Sequence, residues 1–181
     1  MSTYIDSRLS LFLVIILISG ILVFTLLFYA LKKFGKSPRT ILPVNFATRI
    51  RIPLALFLLA LILRIVLVRE EITAYINQDI LSHASTLLFI TSITWAIILV
   101  IKAFKRNILT KYDMSVSDNV HARKIYTQFS VLERVIIFVI VLFAVSIALM
   151  SFENIRAIGV SILTSAGIAG IIIGFAAQKA L

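Results

Sequence analysis

Cysteine is absent from this chain, and histidine nearly so, with two residues. The first absence removes disulfides, thiolate metal ligands and cysteine nucleophiles from consideration. Charge is also scarce: 14% of residues are Asp, Glu, Lys or Arg, and eight of the 181 are acidic. A soluble domain ordinarily carries about 25% charged residues. No nucleophile–base pair, metal motif or phosphate-binding loop stands out, so an enzyme is not expected, and neither is a cofactor. What the chain has instead is apolar: 61% of residues are hydrophobic, and the mean hydropathy is +1.09. That balance belongs to an integral membrane protein. The net charge of +10 would point to nucleic acid in a soluble protein. Here the placement of the charges is better explained by membrane topology, and nucleic acid is not an expected partner.

A helix needs about 20 mostly apolar residues to span a bilayer, and five stretches qualify. They run from Leu11 to Leu31, Ile52 to Val68, Ala84 to Ile101, Val135 to Phe152, and through the last segment, Ile155 to Leu181. The runs are too long for strands and lack period-two alternation, so the expected fold is an all-α membrane protein of five transmembrane helices. Pro53 is placed in the first turn of the second span, where proline is tolerated. The first span does not read as a signal peptide, because Asp6 opposes Arg8 ahead of it and no A-x-A cleavage site follows.

Lys32, Lys33, Lys36, Arg39, Arg49 and Arg51 lie between spans one and two, with no acid among them. Lys102, Lys105, Arg106, Lys111, Arg123 and Lys124 lie between spans three and four, with Asp113 and Asp118. These two loops hold twelve of the eighteen basic residues, and the alternate segments hold few. The positive-inside rule then places both loops in the cytoplasm, the amino terminus outside and the carboxyl terminus inside. In the long loop from Lys102 to Ser130, Ser117 and Asp118 are good caps ahead of a stretch of helix formers. Val120, Ile125, Tyr126 and Phe129 would form the apolar face of an interfacial helix running into span four. The competing reading is a plain solvated connector.

Several residues are better read blandly. Arg64, near the outer end of span two, can snorkel to the interface. Glu133 and Arg134 can pair with neighbours or meet headgroups, and a solvated interfacial position is the simpler reading. His83 and His121 fall in loops on opposite sides of the membrane and cannot share a metal ion. The basic loops are expected at anionic lipid headgroups, so membrane lipids are partners.

The final segment reads IRAIGVSILTSAGIAGIIIGFAAQKAL and holds four of the six glycines: Gly159, Gly167, Gly170 and Gly174. Each glycine disfavours a helix interior by about 1 kcal/mol relative to alanine. In membrane helices glycine permits close approach of a second backbone. Gly167, Gly170 and Gly174, spaced three and four apart, line one stripe. Packing within a monomeric bundle is the plain alternative.

The run from Thr164 to Leu181, with its ordered glycines closing in Phe-Ala-Ala-Gln178, resembles the pore-lining helix of MscS-type small-conductance mechanosensitive channels. Spans three and four resemble that family's tension-sensing paddle, and spans one and two its extra amino-terminal helices. The resemblance divides the chain into residues 1–83, 84–152 and 153–181. It implies a homo-heptamer in a bacterial inner membrane that passes ions and small solutes when tension rises on hypo-osmotic shock. It places the constriction rings at Ile171 and Phe175, which would gate by dewetting. The family's small residues opposite the glycines are Thr164, Ile168 and Ile172 here, larger knobs for the same packing. Lys179 stands where the family often has a flexible residue, which weakens the case for a bend after Gln178. Arg156 would ring the outer pore mouth, and Gln178 and Lys179 the inner one, with a slight preference for anions. Family members continue into a large cytoplasmic cage, so the resemblance makes this chain the membrane part of a longer protein. Two other functions stay open: a non-conducting membrane anchor or sensor, and a secondary transporter subunit. The second is disfavoured by the lack of repeats and midplane charges.

Overall fold

The computed structural model describes residues 2–34, 46–67, 77–109 and 120–180. Lys36, Arg39, Arg69, Lys111, Asp113, Ser117, Asp118 and Leu181 lie outside them, as do the side chains of Arg8, His121, Arg123 and Lys179. The described residues form five helices: α1 Ser2–Phe34, α2 Phe46–Leu67, α3 Gln78–Leu109, α4 Val120–Met150 and α5 Arg156–Ala180. One 3₁₀ turn, Glu153–Ile155, joins the last two, and no strand occurs among the described residues. All five helices are long and apolar enough to cross a membrane. Hydrocarbon offers no hydrogen-bond partners, so a chain this apolar satisfies its backbone within each segment, which the helix alone allows.

The helices outrun the apolar stretches that mark them. Hydropathy follows the thickness of the hydrocarbon, whereas a helix continues until something breaks it. Nothing between Ile101 and Leu109 does so, and α3 carries Lys102, Lys105 and Arg106 as helical residues, not as part of a loop. At its other end α3 starts at Gln78, because the Asn77 side-chain oxygen accepts from the backbone N–H of Asp79 at 3.1 Å. That is an N-cap, and Asp79 adds a carboxylate to the first turn, where the helix dipole favours it. The helix expected ahead of span four is part of α4 itself, unbroken from Val120. Pro53 is not in a first turn. α2 begins seven residues earlier at Phe46, so Pro53 is interior and leaves the Arg49 carbonyl without its i→i−4 donor.

Successive helices run antiparallel, and the cross-contacts show it. Gly20 of α1 lies against Ile62 of α2, and Phe28 near the end of α1 lies under Arg51 near the start of α2. Phe57 of α2 meets Phe89 of α3 with ring centroids 5.3 Å apart. Lys105 near the end of α3 pairs with Glu133 in the first half of α4. At the far end His83 of α3 stacks on Phe152 after α4, at 4.5 Å. The most extensive interface is α2 against α3; the buried positions of α3 are all small, Ser85, Ser92 and Ala103, while α2 buries Phe46, Ala47, Pro53, Ala60 and Val66. Small residues let membrane helices approach, since lipid supplies no hydrophobic drive between them. The serine hydroxyls are satisfied locally, Ser85 donating to the Ser82 carbonyl and Ser92 to that of Phe89, both at 2.8 Å.

The α4–α5 hairpin is the tightest. Phe152 is extended (φ −105°, ψ 124°), which ends α4, and the chain turns back through Glu153–Ile155. Gly159 then packs into α4. A Cβ there would sit 2.5 Å from the Ser146 carbonyl oxygen and 2.7 Å from Met150 Cγ. Ser146 itself is fully buried, its hydroxyl bonded to the Leu142 carbonyl at 2.8 Å. The obstacle to a side chain at 159 is backbone, which cannot swing away. Gly159→Ala should therefore lower stability by about 1–3 kcal/mol, as overpacking does. Gly167→Ala, which meets nothing within the chain, should leave the stability of the detergent-solubilised monomer unchanged or raise it slightly. Thermal unfolding of both variants in the same detergent tests this; equal melting temperatures would contradict the packing described.

Candidate functional site

Beyond Ala166 the last helix parts from the bundle. Every residue from Gly167 to Gln178 is exposed. Ile168, Ile171, Ile172, Ile173 and Phe175 each leave more than half of their surface uncovered, Phe175 most at 69%. A Cβ added at Gly167, Gly170 or Gly174 would meet nothing within 4 Å. The four glycines thus fall into two groups. Gly159 is used inside the chain, and the other three form an outward stripe with no partner among the described residues. Polar groups on the helix are satisfied by it: the Thr164 hydroxyl donates to the Val160 carbonyl at 2.9 Å and that of Ser161 to Ala157 at 2.8 Å.

At roughly 100° per residue, the singled-out residues sort into two faces. Gly167, Gly170 and Gly174 share one. Thr164, Ile168 and Ile172 share another, centred roughly 125° around the helix. Ile171 and Phe175 stand on the side of this second face nearer the glycines, roughly 20° to either side of Thr164, and Gln178 lies between them and the stripe. A helix with a grooved flank, a knobbed flank and a bulky apolar front can repeat around an axis: each knobbed flank enters the next grooved flank, and the fronts face inward. Nothing among the described residues brings these side chains into contact with one another beyond helical adjacency. Arg156 is exposed at the first turn of α5. α5 continues unbroken past Gln178 and Lys179 to Ala180, with no bend at that point.

Two features escaped sequence reasoning. Glu133 is not solvated. Its carboxylate accepts a 2.6 Å hydrogen bond from Lys105 Nζ, with side-chain exposures of 15% and 18%. The Tyr126 ring lies 5.3 Å from the same ammonium. The signal was hidden because the partners are 28 residues apart on separate helices. The second is the His83–Phe152 stack, which ties the start of α3 to the α4–α5 turn. Arg64 is exposed, in keeping with a snorkelling side chain. Among the described residues no group of three His, Cys, Asp or Glu side chains is placed to hold a metal ion.

Most of the described basic side chains, Arg64 and Arg156 excepted, collect at one end of the bundle. The antiparallel pairing brings the end of α1 (Lys32, Lys33), the start of α2 (Arg49, Arg51), the end of α3 (Lys102, Lys105, Arg106) and the start of α4 together. No family model, curated protein or solved structure matches the chain. Its fold and composition define a multi-pass α-helical membrane protein.

The Lys105–Glu133 pair is the one described ion pair between helices. Removing either partner strands the other as a largely covered charge, at a cost of about 1–3 kcal/mol. Lys105→Met and Glu133→Gln should each lower the melting temperature, and the double variant should recover part of the loss. Strict additivity of the two changes would show that the pair contributes nothing.

Proposed function

We propose that the chain is a subunit of a homo-oligomeric mechanosensitive channel, with α5 lining the pore, opened by membrane tension and passing ions and small solutes. The observation that carries this reading is the division of glycines on α5. Gly159 meets backbone, whereas Gly167, Gly170 and Gly174 meet nothing on a helix that would be more stable with alanine there. Another copy of the same helix, presenting Thr164, Ile168 and Ile172, gives the stripe something to pack against. That contact joins two different faces, so it is head-to-tail, and copies related by a rotation about the membrane normal close it into a ring. The likeness to MscS-type channels puts seven copies in the ring.

Ile171 and Phe175 then face the axis as two stacked apolar rings. A narrow neck of such side chains expels water, and ions cannot cross without it. Tension favours whichever state covers more membrane area, and separating the α5 helices widens the neck and rewets it. α3 and α4 form the lipid-facing hairpin that carries this load, joined to α5 through the Gly159 contact and the Phe152 turn. The positive-inside rule assigns the basic end of the bundle to the cytoplasm and the amino terminus to the outside, and the likeness to MscS-type channels makes the membrane a bacterial inner one. Arg156 rings the outer mouth, and Gln178 and Lys179 the inner one.

The absence of native cysteine makes the packing directly testable. With Ile168→Cys and Gly170→Cys in one chain, oxidation in membranes should give a ladder of bands rising to a closed ring. A dimer alone would indicate a two-fold contact and contradict the ring, and monomer alone would leave the chain as an anchor or sensor. In the assembled protein, Ile171→Ser or Phe175→Ser should wet the neck, raising resting leak and lowering the tension threshold. Unchanged leak and threshold would remove both residues from the constriction.

A further inference from the structure

Arg49 of α2, Lys102, Lys105 and Arg106 of α3, and Tyr126 and Glu133 of α4 line one cavity of about 450 Å³ at the basic end of the bundle. Four cations and one carboxylate leave it a formal charge of +3. Lys105 is already matched, held by Glu133 and covered by Tyr126. Among the described residues, no carboxylate pairs with Arg49, Lys102 or Arg106. Lys102 and Arg106 stand four apart on one face of α3, a spacing at which like charges repel. Arg49 is brought to them by a different helix. Three converging cations at the rim of the apolar region need an anion, and guanidinium forks suit phosphate oxygens.

A second cavity gives the anion a tail. An apolar groove of about 360 Å³ runs between α3 and α4, lined among others by Trp95, Ile98, Val141 and Val145. Thr91, Trp95, Ile98, Lys102 and Lys105 follow one another at intervals of three and four, so groove and basic cavity lie on one stripe of α3. From Thr91 to Lys102 the helix rises roughly 16 Å, a span that an acyl chain can follow from a headgroup held at the cations. We infer that this is a binding site for an anionic phospholipid, its phosphate held by Arg49, Lys102 and Arg106 and an acyl chain laid along the α3–α4 groove. Bound there, the lipid bridges α2 to the α3–α4 hairpin. The site depends on the membrane placement of the helices and not on conduction.

The test uses the full chain in nanodiscs of phosphatidylcholine with a minor fraction of phosphatidylglycerol, extracted and weighed by native mass spectrometry for retained lipid. The expected result is enrichment of phosphatidylglycerol over phosphatidylcholine. Arg49→Gln with Arg106→Gln should reduce that enrichment on the order of tenfold. Lys32→Gln with Lys33→Gln, which removes the same charge at the same end outside the cavity, should not. Ala144→Trp fills the groove without altering charge and should also release the lipid. Melting temperatures in pure phosphatidylcholine confirm that each variant is folded. Equal losses from both charge pairs would reduce the site to diffuse surface attraction and overturn the proposal. So would displacement of the lipid by millimolar inorganic phosphate, which would make the cavity a site for a soluble anion. Loss through the arginine pair with no effect of the tryptophan would overturn the acyl half.

Discussion

Every feature of this protein follows from a solvent that cannot hydrogen-bond. In hydrocarbon the backbone must satisfy itself, so the chain is helical wherever it is apolar. The same solvent removes the usual reason for helices to associate, because lipid is as apolar as leucine. Association then depends on how closely two backbones approach. Ser85 and Ser92 are buried on α3, Ser146 meets Gly159, and Gly20 meets Ile62. At each of these positions a small residue stands where an ordinary apolar one would hold the helices apart.

That requirement leaves α5 unfinished. Its first turns satisfy it through Gly159, and the remainder carries the same kind of residue with nothing opposite. The helix has the surface of a contact without the contact. The proposed ring supplies it from identical chains, and it gives the exposed Ile171 and Phe175 an axis to face. The α3–α4 hairpin is suited to connect lipid to that ring. It is anchored at the basic end by Lys105 and Glu133 and at the other by the His83–Phe152 stack. In the proposed channel, tension pulling on its outer surface would be passed to α5 through the short turn and the Gly159 contact.

The number and order of the helices were legible in the sequence because hydropathy measures what the bilayer measures. Their ends were not, since a helix stops for capping and breaking residues and not for the edge of the hydrocarbon. Lys102, Lys105 and Arg106 therefore belong to α3, and Pro53 sits inside α2. The glycine stripe could be read from spacing, but its separation from Gly159 could not, because that depends on which face of α5 meets α4. The Lys105–Glu133 pair and the basic cavity were invisible for a similar reason. They join residues from helices far apart in the chain, at a level of the membrane where single charges all look alike.

The most direct test is a patch-clamp recording of the protein in liposomes under calibrated suction. The account predicts stepwise currents that appear above a tension threshold, without ligand, and vanish when suction is released. Silence up to the lytic limit, with the protein shown to be inserted and assembled, would contradict it and leave α5 as a packing element of a non-conducting membrane protein.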